Sequence, residues 1–491
     1  MKVHEHLLDA VGGTPLIRLS RITEGVAVPI YGKAEFLNPS GSVKDRTALG
    51  MVLAAERSGA LRPGGVIVEA TSGNTGLGLV MVAAQRGYGA IIVVPDRSSK
   101  EKVTLMRALG AEVVITPSAL PREHPNHVLR VAQRITERTP GAWYANQYDN
   151  PANPEIHRTT TGPEIWEQTE HRITHFVAGI GTGGTISGAG EFLKEVSGGR
   201  VSVVGADPFR SAYAGGDGGP FHVESIGRYI HPDAEADIWP RAYNTKIADW
   251  FERVSDRESI LTTRRLASRE GLLLGGSAGT AVTAALRVAA TAPANSLIVV
   301  ILPDTGRSYL SKYFDDTWLR RLGFGDLPPG SIGQLLQPEQ PPALPYLTAN
   351  QTVADALRTL RAVPDAHGPY PVVQPRTREA VAADASEAVG AVDPTGLRKR
   401  AQTSPRIADE PLARHMDPPL LAFGAGETVG DVLATLDAPP AVHIGGGTSE
   451  SSPQPQPQPR DEIWILVDGA IVGVLTRTRL QATAHALGYA T

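Results

Sequence analysis

The chain has 491 residues, of which 41% are hydrophobic and 20% charged, so it holds enough apolar material for folded domains and is too long for one compact core. A formal net charge of −4 argues against nucleic acid or an anionic membrane as a partner, because both favour a basic surface. The absence of cysteine excludes disulfides, thiolate-bound metals and a thiol nucleophile within this sequence.

The sequence shows no targeting or membrane segment. The N-terminal stretch MKVHEHLLDAVGGTP lacks the apolar core of a signal peptide, and the apolar run 297–302 is too short to cross a bilayer. We therefore expect a cytoplasmic protein without a membrane partner.

From residue 10 to about 320, β-branched runs alternate with segments of helical period. The predicted strands are 64–70, 90–95, 111–117, 175–181, 201–208 and 296–304. Between them we predict helices over 45–58 and 75–86, and two capping boxes that open helices, Ser98 with Glu101 and Ser255 with Glu258. This alternation predicts an α/β fold with mostly parallel sheets, whose ligands bind at the carboxyl ends of the strands.

The composition changes after Trp318. A Pro- and Gly-rich stretch, 324–345, is typical of a linker, and beyond it TVADAL from Thr352 recurs as TVGDVL from Thr428. Each copy is predicted to start a helix and to be followed by a pair of strands. We predict a catalytic region over 1–325, a linker over 326–345 and a paired module over 346–491, with copies at about 346–400 and 411–486 and a disordered or extended spacer at 451–460.

Four segments carry the candidate chemistry, and the first contains Lys44. The turn 38–43 delivers this lysine to the start of the predicted helix 45–58. A helix N-terminus in a dry cleft disfavours the ammonium form, and a neutral amine is what a Schiff base requires.

The other three segments are rich in glycine and lie where a strand or an apolar run meets a helix. TSGNTG (71–76) suits a carboxylate, GTGGT (181–185) can form a phosphate nest, and GGSAGT (275–280) opens a helix. Gly179, Gly181 and Gly184 also satisfy the dinucleotide pattern G-x-G-x-x-G, and Asp207 ends the next strand. The nest alone therefore leaves an NAD-dependent dehydrogenase open.

Together the segments resemble fold-type-II pyridoxal-phosphate (PLP) enzymes, in the family of cysteine synthase and cystathionine β-synthase. The motifs GGTPL (12–16), SGSVKDR (40–46), TSGNTG, GTGGT and GGSAG occur in the family's order. ANQYDNPANP (145–154), EGLLLGGSAGT (270–280) and LPDTGRSYLSKYFDDTWL (302–319) are similar to cystathionine β-synthases in particular. The repeat is similar to tandem CBS domains, so the resemblance implies two open twisted sheets with flanking helices, followed by an α+β regulatory (Bateman) module.

The resemblance also implies the roles of individual residues. Lys44 would bind PLP covalently and act as the general base, Asn74 would meet the ring hydroxyl, and Ser277 would face the pyridine nitrogen. The phosphate would be held by Gly181, Thr182, Gly183, Gly184 and Thr185. The amino-acid substrate would be bound by Thr71, Ser72, Gly73, Thr75, Gln147 and Tyr148. A hydroxyl at 277, in place of an acid, is expected to favour loss of a β-substituent over transamination.

By this resemblance the protein is a PLP-dependent lyase that joins serine and homocysteine to form cystathionine and water through an aminoacrylate intermediate. Within the same chemistry the alternatives are cysteine synthase, which combines O-acetylserine or O-phosphoserine with sulfide, and a specialised β-replacement enzyme. A dehydrogenase and an inactive ligand sensor are more distant alternatives. Neither metal nor heme is expected.

Two features depart from the family's pattern. Ser225 and Arg228 replace residues of the usual Gly-Ile-Gly segment, and 231–239 reads as an insertion, so the thiol or the β-substituent can differ. The repeat has Thr476 and Arg479 where adenosyl-binding copies have a Thr and an Asp, which argues against the usual adenosyl effector. By resemblance the protein forms a homodimer or a homotetramer.

Overall fold

The computed structural model describes residues 3–118, 120–232, 234, 238–327, 330–336, 343–361, 368–375, 380–437 and 461–486. The chain divides into two compact units, Met1–Phe314 and Asp315–Thr491. The predicted spacer 451–460 and part of the predicted linker lie outside the described residues.

The first unit is built from ten strands and nine α-helices in its described part. The strands are β1 (Leu16–Arg18), β2 (Ile30–Lys33), β3 (Val66–Ala70), β4 (Gly89–Pro95), β5 (Glu112–Thr116), β6 (Ala142–Tyr144), β7 (His175–Gly179), β8 (Ser202–Pro208), β9 (Trp250–Val254) and β10 (Ile298–Ile301). The helices are α1 (Lys44–Arg57), α2 (Asn74–Arg86), α3 (Lys100–Ala108), α4 (Val128–Arg138), α5 (Ala152–Ile156), α6 (Gly162–Gln168), α7 (Gly184–Val196), α8 (Asp256–Glu270) and α9 (Gly276–Thr291).

These strands form two sheets, as the α/β prediction requires. One sheet has the order β5-β4-β3-β6 and is entirely parallel. The other has the order β1-β2-β10-β7-β8-β9 and is parallel except for the pair β1–β2. The fold class is therefore confirmed for this unit, and both sheets turn the carboxyl ends of their strands toward the loops that hold the candidate site residues.

Six predicted strands occur within a few residues of their expected limits, whereas β1, β2, β6 and β9 were not predicted. The unpredicted strands are short, with three to five residues each, so their apolar pattern is weak. The capping box at Ser255 and Glu258 is confirmed. The one at Ser98 and Glu101 is wrong, because Ser99 caps α3 and accepts a hydrogen bond from the Lys102 amide.

The second unit contains two similar three-stranded sheets. Its strands are β11 (Leu347–Thr348), β12 (Tyr370–Val373), β13 (Ala388–Val392), β14 (Ala422–Gly424), β15 (Glu462–Val467) and β16 (Ala470–Thr476). Its helices are α10 (Asp316–Leu322), α11 (Val353–Arg361), α12 (Pro394–Thr403), α13 (Val429–Asp437) and α14 (Arg477–Ala486). Each sheet pairs a parallel strand with an antiparallel hairpin, in the orders β11-β12-β13 and β14-β15-β16.

The two copies of the repeat begin their helices in the same way. The hydroxyls of Thr352 and Thr428 donate to Asp355 and Asp431, at 2.9 and 2.7 Å, and each accepts the amide of that aspartate in return. This reciprocal arrangement satisfies amides that the first helical turn leaves free. In the stretch predicted as a linker, Ile332 is buried in the core of the second copy.

A buried ion cluster ties the start of α1 to two other elements of the first unit. The Arg46 side chain, 2% exposed, binds Glu35 at 2.8 Å and Glu164 at 2.7 Å, and Lys33 binds Glu164 at 2.6 Å. Because Arg46 follows Lys44 by two residues, the cluster also anchors the turn that carries the candidate catalytic lysine.

Removing one member of this cluster should therefore be costly. We expect Arg46→Ala to lower the free energy of unfolding of the first unit by about 3–5 kcal/mol, because Glu35 would remain buried without its partner. Arg86→Ala is the matched control, since Arg86 pairs with Glu56 at the surface and its loss should cost about 1 kcal/mol or less. Urea unfolding measures both, and equal effects of the two substitutions would contradict the argument.

Candidate active site

Lys44 is the first residue of α1, and the residues just before it pair with the segment that follows β10. The Val43 amide donates to the Pro303 carbonyl at 2.8 Å, and Ser42 forms a bridge with Asp304. The Lys44 side chain is partly exposed to the cleft while protein atoms crowd it on the other sides. The structure thus places the lysine at the carboxyl ends of the strands, as the sequence predicted.

The surroundings of Lys44 favour its neutral amine. Desolvation lowers its pKa to about 8, although the negative charges of Asp304 and Glu35 oppose the shift. An amine with this pKa is partly unprotonated near neutral pH, which an ordinary lysine is not. This is the state in which it can attack an aldehyde or accept a proton.

The TSGNTG segment forms the turn between β3 and α2. Gly73 adopts φ +139, and a Cβ there would lie 2.3 Å from Cδ of Lys102, so the turn admits no side chain. Thr71 and Thr75 are buried and Ser72 is exposed. Because α2 begins at Asn74, its first amides are available to a carboxylate at this point.

Gln147, just after β6, contacts this turn, and Tyr148 follows it in the chain. The Thr75 hydroxyl donates to Oε1 of Gln147 at 2.5 Å, and Nε2 of Gln147 donates to the Ala70 carbonyl at 3.3 Å. Burial raises the pKa of Tyr148, so its phenol stays neutral. The structure therefore brings the predicted substrate-binding residues of two distant segments together.

The segment 181–185 forms a cradle between β7 and α7. A Cβ on Gly181, Gly183 or Gly184 would lie within 2.5 Å of Ser225, Tyr243 or Asn153 atoms, respectively. Only glycine fits these positions. Without side chains, the backbone amides that precede α7 are accessible to an anionic ligand.

Two side chains support the threonines of this cradle. Nδ2 of Asn153 donates to the Thr182 hydroxyl at 2.9 Å, and Nε2 of His157 lies 3.2 Å from the Thr185 hydroxyl. Burial and the nearby Lys44 hold the pKa of His157 well below its usual range, so this histidine is neutral. A neutral, glycine-built cradle at a helix start fits a phosphate group.

Asn74 and Ser277 meet at a carboxylate that the sequence analysis did not assign. Nδ2 of Asn74 donates to Oδ2 of Asp304 at 2.6 Å, and the hydroxyl of Ser277 lies 3.4 Å from Oδ1 of the same residue. Asp304 and Ser277 are both buried, the latter at the start of α9. The similarity motif 302–319 contained Asp304, but no local pattern identified its partners.

The carboxylate belongs to a larger polar network. Tyr309 donates its hydroxyl to Asp304 and accepts from Nζ of Lys102 at 2.9 Å. Lys102 is fully buried and also binds Glu224 at 3.1 Å, and Glu224 in turn pairs with Lys312. The network joins α3, the 224–227 loop and the segment after β10 around the cleft.

The arrangement does not suit a dinucleotide. Asp207, the acid that such a site would present to a ribose, is fully buried and accepts the Ala214 amide at 2.9 Å. The site instead combines an amine of lowered pKa, a glycine-built cradle that fits a phosphate and a helix start that fits a carboxylate, which together suit PLP and an amino acid. Within the described residues, no cluster of three or more metal-ligating side chains occurs, and no helix is long and apolar enough to span a membrane.

Comparisons with known proteins agree with this geometry. The family model described as "Pyridoxal-phosphate dependent enzyme" matches residues 7–304, more than half of the chain. The cystathionine beta-synthase of Apis mellifera is 42% identical over 325 residues, which are 66% of this chain and 64% of that protein. The chain thus spans slightly less than two thirds of that relative's length.

Two further relatives match over almost their whole length. A probable cysteine synthase of Bacillus subtilis (strain 168) is 42% identical over 65% of this chain and 99% of its own. The crystal structure of an O-acetylserine-dependent cystathionine beta-synthase from Helicobacter pylori matches with 36% identity and a TM-score of 0.58, over 64% of this chain and 99% of its own. The chain belongs to the family of pyridoxal-phosphate-dependent enzymes, in the branch that contains the β-replacement synthases, and PLP is its cofactor.

Proposed function

We propose that the protein is a cystathionine β-synthase that replaces the β-hydroxyl of serine with the thiol of homocysteine. The observation that carries the proposal is the convergence of Lys44, the 71–75 turn and the 181–185 cradle. Asn74 bonds Asp304, which pairs with Ser42, and His157 contacts both Thr47 of α1 and Thr185 of the cradle. The similarity of the first unit to both cystathionine β-synthases and a cysteine synthase supports the reaction class.

PLP would be held by Lys44, Asn74, Ser277 and the cradle 181–185. When bound, it withdraws electrons from the α-carbon of an amino acid, so that the α-proton becomes acidic and a β-substituent can leave. The chain's own residues must then orient the substrate and move this proton.

The N-terminus of α2, with Thr71, Ser72, Gly73 and Thr75, would bind the substrate carboxylate. Gln147 and Tyr148 would close the same pocket, since Gln147 already bonds Thr75. Nζ of Lys44 would take the proton from the α-carbon and return it after the thiolate has added, because its lowered pKa lets it exist in both forms near neutral pH.

The second unit would be a tandem CBS-type regulatory module, as its two similar sheets and repeated helix starts suggest. An adenosyl effector held by an acid in the usual mode is not favoured. In the first copy Asp393 caps α12 by accepting the Gly396 amide at 2.7 Å, and in the second copy Arg479 donates to the Leu335 carbonyl. We expect the full protein to act as a homodimer or homotetramer.

The substrate pair is tested by steady-state kinetics. We expect serine with homocysteine to yield cystathionine with a higher kcat/KM than O-acetylserine or O-phosphoserine with sulfide. Mass spectrometry identifies the product and colorimetric detection of free thiol gives the rate. Use of sulfide but not homocysteine would identify a cysteine synthase instead, and no turnover with any pair would point to a specialised enzyme.

The role of Lys44 predicts a pH dependence. Its pKa in the folded protein, about 8, lies below the ordinary lysine value of 10.5, so the reactive neutral fraction rises with pH and is half-maximal near pH 8. Borohydride trapping of apoprotein freshly mixed with PLP should therefore label residue 44 at a rate that follows this curve. Lys33 and Lys102, which are fully buried whereas Lys44 is partly exposed, are internal controls that peptide mapping should find unlabelled.

The site departs from the family's pattern at Ser225. This residue adopts φ +74, although glycine usually occupies such positions, and its Oγ accepts from Nδ2 of Asn74 at 3.2 Å. An amide nitrogen has two hydrogens, and Asp304 takes the other. The Asn74 amide can therefore donate to the PLP ring hydroxyl only if Ser225, its more distant partner, releases it.

Two substitutions separate the backbone strain at Ser225 from its hydroxyl. Ser225→Gly should raise the free energy of unfolding by about 1 kcal/mol, because it removes the strained Cβ, whereas Ser225→Ala keeps the strain. Both should bind PLP more tightly than the wild type, by about the same factor, since both free the Asn74 donor. Urea unfolding and PLP titration measure the two effects, and unchanged PLP affinity in both variants would contradict the competition.

A further inference from the structure

Asp304 is a buried acid at the centre of the site, with 1% of its surface exposed. Its Oδ2 accepts hydrogen bonds from Nδ2 of Asn74 and from the Tyr309 hydroxyl, and its Oδ1 faces the Ser277 hydroxyl at 3.4 Å. One carboxylate therefore contacts both side chains that are expected at the polar edge of the PLP ring.

We propose that Asp304 is a positioning residue, which holds the Asn74 amide and the Ser277 hydroxyl in the orientation in which they meet the cofactor. The inference rests on the roles proposed above for Asn74 and Ser277. Asp304 acts through these two groups and takes no part in the proton transfer assigned to Lys44.

Residue 304 must be an acid if its two oxygens are to accept hydrogen bonds from Asn74 and Ser277 at the same time. A carboxylate offers acceptor sites on both oxygens, whereas an amide of the same shape offers one acceptor and two donors. An asparagine at 304 could still accept from Asn74, but its amino group would then face Ser277. The amino group would then donate to the Ser277 hydroxyl, which now donates to Asp304, and this reversal would change the polarity that Ser277 presents to the cofactor.

Backbone hydrogen bonds on both sides of Asp304 fix its position, so it can orient other side chains. Its carbonyl accepts the Gly275 amide at 3.1 Å, and the next residue, Thr305, donates to the Gly41 carbonyl at 3.0 Å. A Cβ on Gly275 would lie 2.2 Å from Oδ1 of Asp304, so the carboxylate lies directly against the start of α9. The partial positive charge of a helix N-terminus stabilises an anion in this position.

The charges around Asp304 act in both directions. Burial raises its pKa, while the Lys102 cation and the hydrogen bonds from Tyr309 and Asn74 oppose the rise. The negative charge of Asp304 in turn favours the ammonium form of Lys44, so the pKa of Lys44 falls less than desolvation alone would lower it. The same carboxylate therefore links the geometry of the ring-binding residues to the reactive amine.

The test compares Asp304→Asn with Asp207→Asn in the full-length protein. Asp207 is the matched control, because it is an equally buried carboxylate at the end of β8 and bonds the Ala214 amide instead of Asn74 or Ser277. The readouts are the dissociation constant of PLP and the absorbance spectrum of the bound cofactor, whose bands report the tautomer of the ring. Circular dichroism checks that each variant folds.

We expect Asp304→Asn to weaken PLP binding about ten- to a hundredfold, the range for the loss of a hydrogen bond to a charged group, and to alter the ratio of the absorbance bands. Asp207→Asn should retain the wild-type spectrum. Combined with Asn74→Ala, the Asp304 substitution should have a smaller effect than in the wild type, because only its contact with Ser277 is then left to lose.

Wild-type affinity and spectrum in Asp304→Asn would overturn the inference, as would full additivity with Asn74→Ala. If Asp304→Asn fails to fold, Tyr309→Phe tests the same point, since it removes one donor to Oδ2 and should shift the band ratio in the same direction by less. An unchanged spectrum in Tyr309→Phe would then count against the inference. Failure of the wild-type protein to bind PLP would instead contradict the function proposed above.

Discussion

The backbone pairing between residues 41–43 and 303–305 is the constraint on which the site depends. It joins the turn before Lys44 to the segment after β10, although about 260 residues separate them in the chain. Through the Asp304 carbonyl it also includes the start of α9 at Gly275. Two of the four segments that carry the candidate chemistry, the turn before Lys44 and the start of α9, are thereby held by main-chain hydrogen bonds, which leave their side chains free for other contacts.

The buried charges of the first unit are arranged around this pairing. One network, formed by Arg46, Glu35, Glu164 and Lys33, includes a residue of the Lys44 segment. The other, formed by Asp304, Tyr309, Lys102 and Glu224, includes the residue that pairs with Ser42. Within these two networks, each charged group has an opposite charge or a hydrogen-bond partner within reach, as burial requires. Burial lowers the pKa of both Lys33 and Lys44, but Lys33 is bonded to Glu164 while Lys44 is partly exposed, and this difference supports the role proposed for Lys44.

Several positions around the cleft require glycine for the same reason, which is that neighbouring atoms leave no room for a Cβ. At Gly73 and Gly184, for example, a Cβ would lie within 2.3 Å of Lys102 and Asn153, which support the turn and the cradle. The space that a side chain would fill is occupied by residues that orient the site. The departure at Ser225 is the exception, because there a hydroxyl enters the site at the cost of a strained backbone.

The sequence by itself determined the local elements and most of the candidate site. Strand–turn–helix junctions rich in glycine are recognisable without a structure, because glycine and the helix start are needed wherever a backbone approaches an anion. The positions of Lys44, of the 71–75 turn and of the 181–185 cradle were predicted in this way, and the comparisons confirm the PLP family. The capping of α3 by Ser99 instead of Ser98 shows the limit, since neighbouring serines offer equivalent caps and packing selects one of them.

Only the tertiary structure decided which distant groups meet. Asp304, Tyr309 and Lys102 carry no local pattern that marks them as partners of Asn74 and Ser277, since their contacts span up to 230 residues. The same holds for the pKa of Lys44, because desolvation depends on what packs around an amine and not on its neighbours in sequence. The residues that form a turn, a cap or a cradle lie close together in the sequence, whereas burial and long-range hydrogen bonds exist only after the chain has folded.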